Sequence, residues 1–175
     1  VATRSVVPLS AASRHMAIFF NGQHAGASVP HLHFQSVYMS QTFAIEHARF
    51  EQHAGHWWIK DYPATGLVYP ARVKPERLYE DIACLQEAGV PFNLIGIGPH
   101  VFLIGRGIEQ EAVAEFPGSI VGCMELAGRV ITADRDVYKT MTFRRLARAI
   151  RKTTLSRTAM LSVAGKRGPA LRLAS

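Results

Sequence analysis

The sequence predicts an α+β fold, an antiparallel sheet with flanking helices, and three observations support that prediction. Two apolar stretches, residues 91–97 and 100–106, are joined by the two-residue link Gly98-Pro99, which favours an antiparallel hairpin. Residues 75–88 and residues 140–150 instead keep apolar side chains at helical spacing. Antiparallel strands combined with a few helices are typical of the α+β class.

In the N-terminal part, residues 16–20 form a short apolar run that predicts a buried strand. Asn21-Gly22 indicates a turn, and the loop 22–30 leads into a second predicted strand at residues 31–39. Residues 43–56 are rich in His and Glu and leave helix and strand both open.

In the middle of the chain, strands are predicted to start at Trp57 and to run from Gly66 to Tyr69, where turn residues flank the apolar run. Pro75 suits the first position of the helix 75–88, and Gly89 suits its C-terminal end. Further on, residues 109–115 predict an acidic helical turn, and residues 119–130 are compatible with a strand.

The length of 175 residues suits one domain, predicted at residues 1–156, followed by a basic and flexible tail at 157–175. Residues 1–136 carry 10 basic and 13 acidic side chains, whereas residues 137–175 carry 10 basic and no acidic ones. That basic segment contains only two aromatic residues, so a solvated helix face is favoured and nucleic acid is not expected as a partner.

Cys84 and Cys123 lie far apart and form no CxxC motif, which indicates free thiols and a cytoplasmic location. No apolar run is long enough to cross a membrane, and no signal peptide is evident, so no membrane partner is expected. His47, His53 and His56 match no familiar zinc spacing, which favours an exposed loop and predicts neither a metal nor a cofactor.

The candidate site begins with His31, His33 and Gln35, which occupy alternate positions. In an extended strand these three side chains share one face, and Leu32 and Phe34 between them face a core. Just upstream, the N–H groups of a Gly/Ser loop are candidates for holding an anion. The predicted phosphate-binding or nucleotide-binding residues of this region are Asn21, Gly22, Gly26, Ala27 and Ser28.

The run His31-Leu32-His33-Phe34-Gln35, with Tyr38 after it, resembles the His-x-His-x-Gln branch of the histidine-triad superfamily. Within this branch it is most similar to the C-terminal part of the GDP-L-galactose and GDP-D-glucose phosphorylases. The resemblance continues colinearly in Phe43-Ala44-Ile45-Glu46, in Pro91-Phe92-Asn93-Leu94 and in Met124-Glu125-Leu126-Ala127-Gly128. That family usually has further N-terminal strands, and only a short segment precedes the motif region here, so either those strands are absent or this sequence is a fragment.

The resemblance implies a histidine-triad-like sheet and an activity, with His33 as the nucleophile that takes up a nucleotidyl group. It implies phosphorolysis of a GDP-hexose by inorganic phosphate, which yields GDP and hexose 1-phosphate, and a homodimer. His31 would orient His33 or the loop. Gln35 would donate a hydrogen bond to a phosphate oxygen, which its amide can do although it cannot protonate a leaving group.

Three alternatives remain open on the sequence. The first is a nucleotide hydrolase or dinucleoside polyphosphate phosphorylase of the same superfamily, although Gln35 argues against hydrolysis. The second is a metal-binding β-barrel that uses His31 and His33, which is disfavoured because no Glu follows within a few residues. The third is a nucleotide-binding module without catalytic activity.

Overall fold

The computed structural model describes residues 15–107, 112–117 and 119–164, and a seven-stranded sheet lies at its centre. The strands are β1 (Met16–Asn21), β2 (Gln35–Tyr38), β3 (Arg49–His53), β4 (His56–Lys60), β5 (Leu67–Pro70), β6 (Phe92–Ile97) and β7 (His100–Gly105). Their spatial order is β2-β1-β6-β7-β5-β4-β3, and every neighbouring pair is antiparallel.

In the described part of the chain, five α-helices and one 3₁₀ helix flank this sheet. The α-helices are α1 (Pro75–Glu87), α2 (Cys123–Leu126), α3 (Arg135–Thr140), α4 (Phe143–Thr153) and α5 (Arg157–Ala164), and the 3₁₀ helix is Ala44–His47. The predicted α+β class is confirmed.

The hairpin of β6 and β7 forms the middle of the sheet, as the sequence predicts. Its register pairs Ile97 with His100 across the two-residue link, and all six residues of β6 are buried. Both faces of these strands are covered, which explains why their sequences are apolar without clear alternation.

The two faces of the sheet carry separate cores because successive side chains of a strand point to opposite sides. On one face, side chains such as Phe19, Ile95 and Phe102 pack with the 3₁₀ helix, α2 and α4. On the other face, side chains such as Trp58 and Leu103 pack with α1 and α5. The sheet is therefore the middle layer of three.

Helix α1 follows its prediction closely. Pro75 occupies the N-terminal turn, the helix ends two residues before Gly89, and its apolar stripe of Leu78, Ile82 and Leu85 is buried. The strands expected near Trp57 and at residues 66–69 are found as β4 and β5.

The strand predicted at residues 31–39 is shorter than expected. Only Gln35–Tyr38 pair with β1, and this pairing ends at the Phe19–Gln35 position. Among the described residues, β1 is the only strand that pairs with β2, so the length of β2 is set by where that pairing ends. Leu32 is 62% exposed, which contradicts its expected core position, whereas the ring of Phe34 packs 5.5 Å from that of Phe20.

Residues 119–130, expected as a strand, contain helix α2 instead. The Glu125 carboxylate accepts a hydrogen bond from the N–H group of Gly122, which caps the first turn. Residues 43–56 hold the 3₁₀ helix and β3. Of the acidic turn at 109–115, residues 112–117 form turns, and residues 109–111 lie outside the described residues.

The tail predicted from residue 157 begins as a packed helix. In α5, Met160 and Ala164 are buried against α1, so this part of the predicted tail extends the core. Their i,i+4 spacing places both side chains on one helix face. The rest of the predicted tail, residues 165–175, lies outside the described residues.

Candidate active site

The loop that precedes the histidines is anchored where β1 ends. The N–H group of Gly22 donates to the carbonyl oxygen of Phe92 over 3.0 Å, and that of Ala25 donates to the carbonyl oxygen of Gly22. A Cβ atom on Gly22 would lie 2.6 Å from the Phe92 oxygen, so no larger residue fits there. Gly22 therefore shapes the loop, and its N–H group is already used within the protein.

Gly26 brings the loop against the start of α2. Its φ of 88° is strained for residues other than glycine, and a Cβ atom would lie 3.0 Å from the Cα atom of Gly122. The approach of two glycines fixes how closely the loop lies against the Gly122 end of that helix.

A buried polar network supports this loop from below. Asn93, which is fully buried on β6, donates from Nδ2 to Oδ1 of Asn21 over 2.7 Å and to the carbonyl oxygen of Ala25 over 2.8 Å. Arg106, 1% exposed, donates from Nη1 to Oδ1 of Asn93 and from Nε to the carbonyl oxygen of Thr153. The network joins β1, β6, the residue after β7 and α4.

Asn21 is the member of this network that the sequence places in the site. Its Oδ1 atom also accepts from the N–H group of Cys123 over 2.9 Å, so it holds the loop and the start of α2 together. With Oδ1 engaged by two donors, only its Nδ2 group is available to a ligand.

The sequence analysis missed the supporting roles of Asn93 and Arg106. The available signal was an Asn inside the apolar run 92–97 and an Arg at the end of the run 100–106. Buried polar side chains require hydrogen-bond partners, so a pair of them on adjacent strands indicates an internal network.

Cys123 and Glu125 complete the wall behind the loop. The Cys123 thiol donates to the carbonyl oxygen of Phe20, and burial raises its pKa to about 12. Glu125 accepts from the N–H groups of Gly122 and Ile131 at 3.0 Å each, and burial raises the pKa of its carboxyl group. Both residues act in the architecture of the wall, and neither side chain is exposed.

The two histidines of the motif lie together just before β2. Their ring centroids are 5.5 Å apart, and Nδ1 of His33 lies 3.0 Å from the carbonyl oxygen of His31. His31 is exposed, and His33 is half-buried. The backbone of residue 31, rather than its ring, thus makes the direct hydrogen bond to the His33 side chain.

Gln35 and Ser28 lie exposed on either side of the histidines along the chain. Within the part of the chain that the structure describes, neither side chain has a hydrogen-bond partner. In the same part, the N–H groups of Ala27, Ser28 and Val29 donate no hydrogen bond. This segment therefore presents free donors at the surface.

A second polar cluster lies on the opposite side of the sheet, between β4, β5 and α1. Tyr69 donates to Oδ2 of Asp81 over 2.6 Å, and Nη2 of Arg77 lies 3.5 Å from the same oxygen and 3.3 Å from Nδ1 of His56. His56 is buried, which corrects its expected place in an exposed loop. Burial is the main cause that lowers the pKa of His56 and raises the pKa values of Asp81 and Tyr69.

Two structural searches of the described residues gave negative results. No group of three or more His, Cys, Asp or Glu side chains in these ranges is arranged to hold a metal ion. Across the same ranges, no helix has the length and apolar character needed to cross a membrane. Both cysteines are free thiols, with Cys123 buried and Cys84 half-buried.

Comparison with known sequences relates this chain to plant enzymes. GDP-L-galactose phosphorylase 2 of Arabidopsis thaliana is 24% identical over 156 residues, a match that covers 78% of this chain and 36% of the relative. GDP-L-galactose phosphorylase 1 of the same plant is 23% identical over 148 residues, covering 74% and 34%. The chain thus spans about a third of the length of these curated relatives. No protein-family model matches the sequence.

Comparison with solved structures relates its fold to a yeast enzyme. The crystal structure of yeast Ap4A phosphorylase Apa2 in complex with AMP superposes with a TM-score of 0.63 at 15% identity, covering 90% of this chain and 62% of that chain. The complex of the same enzyme with Ap4A gives a TM-score of 0.57 at 15% identity, covering 79% and 54%. The predicted histidine-triad-like fold is confirmed, and so is the predicted likeness to the GDP-hexose phosphorylases.

Proposed function

We propose that this chain is a nucleotidyl-transferring phosphorylase domain in which His33 forms a covalent nucleotidyl intermediate. The observation that carries the proposal is the 3.0 Å contact between Nδ1 of His33 and the carbonyl oxygen of His31. A carbonyl oxygen can only accept, so Nδ1 carries the proton in this contact. The neutral ring then presents the lone pair of Nε2, which is the form that a nucleophile requires.

The donors around His33 support a phosphate as its target. The free N–H groups of Ala27, Ser28 and Val29 and the Ser28 hydroxyl group are suited to hold phosphate oxygens. Donors that are fixed before the reaction stabilise the charge that develops in the transition state. Gly22, Gly26 and the Asn93 network hold the loop, and residues 27–29 connect it to the motif along the chain, which supports their proposed role as phosphate donors.

In the proposed reaction, Nε2 of His33 attacks the α-phosphorus of a nucleoside diphosphate sugar. The bond between that phosphorus and the bridging oxygen breaks, and hexose 1-phosphate leaves with the bond electrons. Inorganic phosphate then attacks the nucleotidyl-histidine, the P–N bond breaks, and a nucleoside diphosphate is released. Gln35 donates a hydrogen bond to a nonbridging oxygen and supplies no proton, which suits a phosphate leaving group.

A GDP-hexose is the proposed substrate, because the plant relatives are named for GDP-L-galactose. A dinucleoside polyphosphate is the second candidate, favoured by the fold shared with the yeast Ap4A phosphorylase. Both reactions use inorganic phosphate and the same nucleotidyl-histidine. A cytoplasmic homodimer is proposed with them. No described residue pairs with the outer edge of β2, and such an edge gives a physical reason for association because it favours further pairing.

The test is intact-mass spectrometry of the protein after incubation with GDP-glucose or GDP-galactose without phosphate. The wild type is expected to gain the mass of a guanylyl group and to lose it when phosphate is added. His33→Ala is expected to gain nothing, whereas His53→Ala, which removes an exposed histidine on β3, is expected to react normally.

An adduct that persists in His33→Ala contradicts the assigned nucleophile. If no adduct forms with GDP-, UDP- or ADP-sugars or with Ap4A, while nucleotides still bind, the chain is a binding module and not a phosphorylase. An adduct that forms from Ap4A and not from GDP-sugars assigns the second substrate class and keeps the mechanism.

Gln35→Glu tests the amide separately, because it keeps the shape of the side chain and replaces a donor by a negative charge. A carboxylate near the phosphates is expected to slow adduct formation by about 100-fold or more through like-charge repulsion. Gln52→Glu, an exposed change on β3, is the matched control and is expected to have no effect. Equal rates for the two variants would exclude a contact between Gln35 and the phosphates.

A further inference from the structure

A cavity of about 400 Å³ lies between α4 and the segment 112–117. Three arginines line it, Arg144, Arg145 and Arg148, together with Ala114, Glu115 and Thr142. None of these residues belongs to the candidate active site or to the network beneath it. The cavity is therefore a separate feature of the molecule.

Two of its arginines have no competing partner. Arg144 and Arg148 are exposed and stand one helical turn apart on α4, where i,i+4 side chains are neighbours. Within the described ranges, neither donates a hydrogen bond or forms an ion pair. Their donors are therefore available to a ligand.

The third arginine is held in place. Arg145 donates from Nε to the carbonyl oxygen of Glu115 over 2.7 Å and from Nη1 to the Thr140 hydroxyl group over 2.9 Å. These bonds fix its guanidinium group as a wall of the cavity before any ligand arrives. A site of this kind loses less side-chain freedom on binding.

Among the described residues that line the cavity, Glu115 supplies the only carboxylate; its Oε1 atom is paired, whereas its Oε2 atom is buried without a hydrogen-bond partner. Nζ of Lys152 lies 2.7 Å from Oε1 of Glu115. The hydrogen bond that Lys152 donates is the main cause that lowers the pKa of the Glu115 carboxyl group. Arg148 contributes to the same lowering more weakly through its charge. The three guanidinium groups thus leave a strong positive charge, and residues 137–175 contain no acidic side chain to offset it.

We propose that this cavity is a binding site for an oligophosphate, the chemical group shared by inorganic polyphosphates and nucleoside triphosphates. The planar guanidinium fork matches phosphate oxygens in pairs, so the two forks of Arg144 and Arg148, one helical turn apart, suit a ligand with adjacent phosphates. None of the described residues that line the cavity is aromatic, so they offer no stacking surface for a base. The phosphate chain itself is therefore the recognised group.

The experiment is isothermal titration with inorganic tripolyphosphate and with ATP at constant ionic strength. Arg144→Ala/Arg148→Ala is compared with Arg135→Ala/Arg151→Ala, which removes the same charge from exposed positions on α3 and α4 outside the cavity. The first pair is expected to weaken tripolyphosphate binding at least about 10-fold, which corresponds to about 1.4 kcal/mol. The control pair is expected to change it less than about twofold.

Similar affinities for tripolyphosphate and ATP would identify the phosphate chain as the whole determinant, whereas tighter ATP binding would identify a nucleotide as the ligand. The inference is overturned if the wild type binds neither probe. It is also overturned if both variant pairs weaken binding equally, because equal weakening indicates attraction to the overall positive charge and not to this cavity. Tighter binding of a short single-stranded RNA, lost equally in both pairs, also overturns it. Nucleotidyl-adduct formation at His33 is expected to be unchanged in Arg144→Ala/Arg148→Ala, which separates this test from that of the proposed function.

Discussion

The side-chain amide of Asn93 donates a 2.7 Å hydrogen bond to Oδ1 of Asn21, and this bond ties the central hairpin to the loop before the histidines. The two residues face each other in the pairing of β1 with β6. Because Asn93 also binds the carbonyl oxygen of Ala25, it fixes both ends of the first turn of the loop. The shape of the candidate site therefore depends on a side chain buried beneath it.

Asn93→Ala is expected to lower the free energy of unfolding by about 2–4 kcal/mol. The substitution removes the acceptor of the Arg106 Nη1 donor and the donor to Ala25, both buried, and the donor to Asn21, which is partly buried. Urea denaturation measures the loss. Gln52→Ala, an exposed control on β3, is expected to cost less than about 0.5 kcal/mol. A loss below about 1 kcal/mol for Asn93→Ala would show that the network adds little to stability.

Gly26→Ala is expected to destabilise the protein more than Gly98→Ala, although both glycines have positive φ. A Cβ atom at Gly98 meets nothing within 4 Å, so the cost is that of the backbone conformation alone, about 1 kcal/mol. At Gly26 the substitution carries the same backbone cost, and the added Cβ atom would also lie only 3.0 Å from the Cα atom of Gly122. The expected excess is about 1–2 kcal/mol, close to the cost of overpacking.

The same pair of variants tests the loop in the reaction. Gly26→Ala is expected to slow adduct formation at His33, because the loop must move away from α2, whereas Gly98→Ala is expected to leave the rate unchanged. Thermal unfolding and the adduct assay together check both expectations. Equal effects of the two substitutions would indicate that the loop tolerates a side chain at position 26.

Cys123 is expected to resist thiol reagents in the native protein. Burial raises the pKa of its thiol to about 12, so at pH 8 only about one molecule in 10⁴ carries the reactive thiolate. Titration with a chromogenic disulfide reagent should therefore count one thiol, Cys84, before denaturation and two afterwards. Labelling of Cys123 in the native state at the rate of Cys84 would contradict its burial beneath the loop.

The His56 cluster is expected to make stability depend on pH. Burial lowers the pKa of His56 below its value in the unfolded chain, so the unfolded state binds the proton more readily. Its contribution to stability is therefore present above about pH 6.5 and is lost as the pH falls toward the lower pKa of the folded state. Asp81 opposes this loss of stability at low pH, because burial raises its pKa and the folded state therefore binds its proton more readily. The positive charge of Arg77 reinforces the loss, because it lowers the pKa of His56 further.

The measurement is the difference in unfolding free energy between the wild type and His56→Gln from pH 7.5 to 5. This difference is expected to shift in favour of the variant as the pH falls, because the variant has no imidazole to protonate. His53→Gln changes the exposed residue paired with His56 across β3 and β4, and its difference from the wild type is expected to stay constant. A constant difference for His56→Gln would assign the acid response to other groups.

Local sequence patterns predicted the elements that depend on neighbours in the chain. The hairpin of β6 and β7 follows from two apolar runs and a two-residue link, and α1 follows from Pro75, its apolar stripe and Gly89. The spacing of His31 and His33 also predicted that their rings lie on one side of the chain, and the centroid distance of 5.5 Å agrees with this.

Patterns failed where a distant partner decides the structure. The pattern of residues 119–130 predicted a strand, but the Glu125 carboxylate caps a helix there. The N–H group of Cys123 also donates to Asn21, which lies far away in the sequence. The predicted strand 31–39 is cut to four residues because its pairing with β1 ends at Phe19 and Gln35. The flexible tail expected from residue 157 begins as a helix because α1 offers Met160 an apolar surface.

The sequence by itself determined the α+β class, the central hairpin, α1 and the position of the histidine motif, because turn residues and apolar periodicity act over a few residues. Only the tertiary structure decided that Asn93 and Arg106 support the loop, that His56 is buried beside Asp81, and that three arginines of α4 share a cavity with Glu115. These contacts join residues up to 72 positions apart. Burial and hydrogen bonding between such distant residues depend on how the sheet and the helices pack together. Sequence patterns over a few residues carry no information about that packing.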